Sequence, residues 1–130
     1  MVLKLVDTTF LIDVVRGRKD AKKLLASSAT FVTTQINMYE VLVGIFSQRE
    51  PGSGAVVAHS LLSGIPVLPC DDAAIIKAAD LTATLQQVGK EIGHMDSLIA
   101  GAALSKGVTT IVTKNVKHFK RIKGLKVETY

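Results

Sequence analysis

The feature that most constrains this chain is the alternation of short apolar or β-branched runs with longer helical stretches. Leu3, Leu5 and Val6, closed by Asp7, read as a first strand. Thr30 to Thr34 reads as a second and Ile65 to Leu68 as a third; Val108 to Thr113 and Leu125 to Val127 supply a fourth and fifth. Between them the spacing predicts helices over 10–15, 20–27, 35–47 and 53–62, the last two parted by Glu50, Pro51 and Gly52. A longer helix is capped by Asp71 or Asp72, steps through Ala74, Ala78, Leu81, Leu85 and Val88, and stops at Gly89. Another opens at Asp96 and ends before Gly107, and a short one lies near 116–121. Short strands, apolar on both faces and alternating with helices, belong to a parallel sheet covered by helices. The expected fold class is therefore α/β, as a single domain over residues 1–130.

Composition narrows the class further. A chain of 130 residues suits one domain with a real core. Its single cysteine, Cys70, excludes an internal disulfide framework and a Cys-rich zinc site, and Cys70 itself reads as packing. Lys4 interrupts the first apolar run, and the uncharged stretch from Pro51 to Cys70 holds three prolines, so neither reads as a signal or spanning segment. A cytoplasmic protein is expected. The net charge of +5 is uneven: +3 over residues 1–23, −3 over 24–113 and +5 over 114–130. Basic ends around an acidic middle suggest an anionic partner only weakly.

In open α/β sheets, ligands bind beyond the carboxyl ends of the strands, where strand order reverses. Asp7 closes strand one; Thr113, Lys114 and Asn115 close strand four; Asp96 opens the helix leading into it. Glu40 sits mid-helix beside Ile36, Val43 and Gly44, an expensive place for an acid unless something positive meets it. Each also has a plain structural reading. Asp7 and Asp96 suit helix N-caps, Glu40 can reach solvent from the helix edge, and Asn115 suits a turn. Asp13 reads as a helix-surface acid. His59, His94 and His118 lie in separate segments and offer no acid–base pair of histidines, although His94 stands near Asp96.

Four stretches shift this balance: Leu5–Asp13, Asn37–Val41, Asp96–Ala103 and Ile111–Phe119, with Pro66–Pro69 ahead of Asp71. In order and spacing they resemble the PIN-domain family, especially its VapC-type toxin ribonucleases, across essentially the whole chain. The resemblance implies a five-stranded parallel sheet of order 3-2-1-4-5 with helices on both faces. It also implies an endoribonuclease that uses Mg²⁺ or Mn²⁺ and leaves 5′-phosphate and 3′-hydroxyl ends. Asp7, Glu40 and Asp96 would be its catalytic, metal-binding acids. Asn115 falls at a fourth ligand position where many relatives carry Asp, which weakens any second metal site.

Hydroxyls of Thr8 and Thr113, with Lys114, Asn115, Lys117, Lys120 and Arg121, are the expected RNA contacts, the basic ones through phosphate. A homodimer and a small antitoxin are the protein partners that the resemblance implies, the antitoxin placing an arginine on the carboxylates. Alternatives are an RNA-processing nuclease without antitoxin, and a catalytically weak fold that binds RNA or protein. A phosphoryl-accepting receiver wants two acids after strand one, and a haloacid-dehalogenase-like phosphatase wants a second Asp two positions after Asp7; Thr8 and Thr9 supply neither.

Overall fold

In a computed structural model, residues 2–50 and 52–130 are described. The expected alternation is present. In chain order the elements are β1 (Leu3–Val6), α1 (Thr8–Val15), α2 (Lys19–Leu25), β2 (Thr30–Thr34), α3 (Gln35–Phe46) and α4 (Gly52–Ser63). They continue with β3 (Val67–Leu68), α5 (Asp72–Gln87), α6 (His94–Ser105), β4 (Thr110–Val112), α7 (Val116–Phe119) and β5 (Lys126–Glu128). Pro51, expected to break the chain between α3 and α4, lies outside the described residues.

The strands form one parallel sheet of order β3-β2-β1-β4-β5, as the family resemblance implies. Leu5 pairs with Val32 on one side and Ile111 on the other, and Val6 pairs with Val112. Alternate residues of a strand face opposite sides. Leu5 and Ile111 therefore enter a core with Leu81, Leu85, Ile99 and Phe119, under α5, α6 and α7. Val6 and Val112 enter a second core with Phe10, Leu11, Val41 and Ile45, under α1 and α3. Both faces are covered. Among the described residues no helix is long and apolar enough to cross a membrane.

Several boundaries differ from the sequence reading for definite reasons. The third strand shrinks to two residues because it is an edge paired only with β2; the Pro66 carbonyl still accepts the Thr33 N–H at 3.0 Å. Helix α6 starts at His94 because Gly93 takes the extended cap position. Asp96 is therefore not the cap but a first-turn acid, where negative charge meets the helix N-terminus favourably. Asp71 does cap α5, accepting the Ala74 N–H at 3.0 Å. Where α6 crosses α5, a Cβ on Gly101 would lie 2.6 Å from the Ala74 carbonyl oxygen. Only a hydrogen fits there, so Gly101 sets how closely the helix carrying Asp96 seats.

Candidate active site

Parallel strands end with their carbonyls on one edge, and β1 and β4, neighbours in space, lead there into α1 and the turn before α7. The order reverses between these two strands, since β2 and β3 lie on one side of β1 while β4 and β5 lie on the other. Asp7 follows β1 directly. It caps α1 by accepting the Phe10 N–H at 3.3 Å, so the capping reading holds and does not compete with a site. Its N–H donates to the Val112 carbonyl, and its other carboxylate oxygen accepts a hydrogen bond from the Thr113 hydroxyl.

From Thr113 the polar contacts run on. Its oxygen accepts the Asn115 N–H at 2.8 Å, which closes the turn after β4. The Asn115 side-chain amide donates to Asp96 Oδ2 at 3.1 Å, and His118 Nδ1 meets the same oxygen at 3.0 Å. A carboxylate partner requires the ring proton on Nδ1. Glu40 is reached from the other side. Thr8 Oγ1 donates to its Oε1 at 2.6 Å and accepts from Asn37 Nδ2 at 3.1 Å. Asn37 is fully buried in a capping box with Thr34, so the chain from β2 to Glu40 is fixed at its root.

The three acids are near enough to feel one another. Burial pushes the Asp7 carboxyl up from 3.8 to about 6, against the lowering effect of its bonds from Thr113 and Phe10. The charges of Asp96 and Glu40 add to the rise. Among the described residues, however, no three acidic, imidazole or thiol side chains close on one point as metal ligands do. Each carboxylate is held by a hydroxyl, an amide or an imidazole. The donor chemistry nonetheless suits a hard divalent cation: carboxylate, amide and hydroxyl oxygens, with no sulfur.

The basic residues divide. Lys114 folds back onto Asp13 at 3.3 Å and Asp20 at 3.6 Å, with its ammonium 4.5 Å from the Tyr130 ring centroid. Arg121 donates to the Glu91 carbonyl at 2.7 Å. Lys117 and Lys120 are exposed and make no ion pair with a described residue. Asp13 is not the surface acid its position suggests. It is buried on the inner face of α1 and accepts the Tyr130 hydroxyl at 2.6 Å.

Sequence reasoning missed His118 because it sought a second histidine and not a carboxylate. The signal was available: His118 lies three residues after Asn115, the spacing that brings side chains to one side of a helical turn. Cys70 is half-buried, with its N–H on Gln35 Oε1 at 3.0 Å, away from these acids.

The fold and its polar edge define a class: an α/β domain with acids gathered at a switch point. The sequence matches the family described as PIN domain over residues 4–125, and the chain belongs to that family of hydrolytic nucleases. Within it the likeness runs to VapC-type proteins. The tRNA(fMet)-specific endonuclease VapC of Shigella flexneri is 26% identical over 132 residues, spanning 100% of this chain and 99% of that protein. A DNA-bound VapBC from Salmonella typhimurium contains a chain that superposes with a TM-score of 0.86 at 27% identity, covering 99% of this chain and 98% of its own. VapBC2 from Rickettsia felis, bound to a promoter DNA fragment, shares the fold with a TM-score of 0.88 at 24% identity, covering 99% of both chains.

Proposed function

We propose that this chain is a VapC-type endoribonuclease dependent on Mg²⁺ or Mn²⁺, with Asp7, Glu40 and Asp96 as its catalytic acids. The observation that carries the reading is Asp7: a buried carboxylate whose neighbours are two further acids and neutral donors, and which makes no ion pair with a described residue. Such an arrangement is costly unless a positive ligand completes it. Asp7, Glu40 and Asp96 would hold the ion, with the Asn115 amide oxygen as a weaker fourth ligand. When bound, it supplies positive charge for the scissile phosphate and acidity for a water molecule.

The remaining work falls to the chain itself. Thr113 fixes Asp7, Thr8 fixes Glu40, and the buried Thr34–Asn37 pair fixes Thr8. Exposed Lys117 and Lys120, just beyond the Asn115 turn, suit RNA phosphates and give affinity that falls with salt. Arg121 and Lys114 would join them from their present contacts.

Protein partners belong to the same proposal. Tyr39 and Val56 are exposed on α3 and α4, and exposed Phe46 lines a groove of about 390 Å³ with Met38, Leu42, Ala55 and Leu62. Exposed apolar surface of this kind suits a protein contact, here a small antitoxin or a second copy of the chain. The solved relatives are VapBC complexes, which supports the former.

A second reading, an RNA- or protein-binding module with little activity, is favoured by the failure of the acids to converge on one point. One experiment separates the two. RNA is incubated with the chain and Mg²⁺ or Mn²⁺, with and without chelator, beside Asp7→Asn. Cleavage lost both to chelator and in the variant is the expected result. Cleavage unchanged in Asp7→Asn overturns the assignment, and no cleavage by the native chain favours the module.

A further inference from the structure

Asp96 differs from the other two acids in how it is held. Asp7 is anchored by backbone on both sides, as a cap and as the residue following β1. Asp96 lies in the first turn of α6, and among the described residues the hydrogen bonds to its carboxylate come from side chains on the far side of the site. Both contacts, Asn115 Nδ2 and His118 Nδ1, fall on Oδ2, while Oδ1 accepts no hydrogen bond from a described residue. We infer that His118 is a positioning residue: its imidazole pins one oxygen of Asp96 and so leaves the other as the free acceptor for a divalent cation.

Three features support this. First, the ring is carried by a firmly seated segment. Phe119, its neighbour on α7, is buried against Leu81, Leu85 and Ile99, and Ile122 follows it into the same core. Second, an imidazole has two nitrogens, and here Nδ1, the one nearer the backbone, makes the contact. That choice is stereochemical and can be tested by substitution. Third, Asn115 alone is a poor clamp. It is wanted as an oxygen donor, and a single amide bond leaves the carboxylate free to turn about it. Two donors on one oxygen, from residues three apart, remove that freedom. A second partner fixing a ligand's orientation in this way typically governs affinity by ~10- to 100-fold.

The inference rests on the nuclease reading, so the native chain is measured first. Mn²⁺ is titrated calorimetrically into the metal-free protein, without RNA, and kcat and KM are measured on one oligoribonucleotide substrate. Absence of both binding and cleavage in the native chain overturns the nuclease reading itself. Given a native signal, His118→Ala is expected to weaken Mn²⁺ about tenfold and to lower kcat at saturating RNA more than it raises KM. His118→Asn, whose amide nitrogen stands near the position of Nδ1, is expected to restore binding to within about threefold. His118→Gln, whose amide falls near the position of Nε2, is not.

A general structural role would make Asn and Gln equally poor and would follow the melting temperature, which is recorded for all three variants. Mn²⁺ affinity unchanged in His118→Ala, or Asn and Gln indistinguishable, overturns the assignment while leaving the nuclease reading intact. If His118→Ala does not fold, the comparison of Asn with Gln decides alone.

Discussion

Asp7 and Asp13 stand on the same stretch of chain, six residues apart, and are nearly equally hidden, at 5% and 7% exposure. Their surroundings are opposite. Asp13 receives a phenol from Tyr130 and the ammonium of Lys114, so its charge is answered inside the fold. Asp7 receives a hydroxyl and a backbone N–H, and the nearby charges are those of two other acids. Burial is common to both; compensation is not. On the proposed function, the acid that the fold hides and leaves uncompensated belongs to the site, and the one that it hides and satisfies belongs to the framework.

The largest test of that distinction is activity. Asp7→Asn is expected to lower RNA cleavage by about a thousandfold, some 4 kcal/mol of transition-state stabilisation. Asp13→Asn, at matched folded fraction, should stay within about threefold of the native rate. Equal losses in the two variants would erase the distinction.

Stability should run the other way. A carboxyl raised from 3.8 to about 6 in the folded state favours folding while protonated. That contribution is complete below pH 4 and is lost as pH rises through 6, an effect of about 3 kcal/mol. In chelator, urea unfolding of the native chain should therefore weaken between pH 4 and pH 7 relative to Asp7→Asn. The variant should be the more stable protein at pH 7. The difference should shrink on adding Mn²⁺, which binds the native site and stabilises it by mass action.

Asp13→Asn should instead destabilise, by about 2 kcal/mol, since it discharges the acceptor of a charge-assisted hydrogen bond and an ion pair. Tyr130→Phe removes only the hydroxyl and keeps the ring against Phe10, which meets it edge-on at 5.2 Å. About 1 kcal/mol is expected there, read as a shift in urea midpoint at constant slope. A Tyr130→Phe cost as large as that of Asp13→Asn would mean that Lys114 contributes nothing.

The same contrast shows what the sequence could and could not display. Strand β2 is legible in full over Thr30–Thr34, because its β-branched residues are local and sit beside β1 in the middle of the sheet. The order of the strands came from family likeness, since periodicity is silent about which strand lies beside which. Thr113, Asn115 and Asp96 join Asp7 in one run of hydrogen bonds, Thr8 joins Glu40 in another, and Asp7 and Glu40 are related only through their charges.

Asp13 was misplaced because its partners are distant in sequence: Lys114 from the turn after β4, and Tyr130 a further stretch beyond. Its helix position, three after buried Phe10, did point inward, but an acid there makes sense only with those partners in view. His118 is the same lesson in reverse. Its ring was set aside for want of a histidine partner, while its real partner is a carboxylate 22 residues earlier.

The placement of β4 between β1 and β5 also bears on the order in which the protein is made. Asp7 leaves the ribosome about a hundred residues ahead of Thr113, Asn115 and His118. Until then β1 has β2 on one side and nothing on the other, Asp7 lacks its hydroxyl, and Asp96 lacks both of its clamps. Synthesis at ~5–20 residues per second leaves about 1–4 seconds, between Asp96 and His118, in which the three acids exist but their arrangement does not. A chain interrupted within that interval carries the three acids without the turn that joins them. By strand order alone, such a chain would lack the contacts that hold Asp7 and Asp96 in the finished fold.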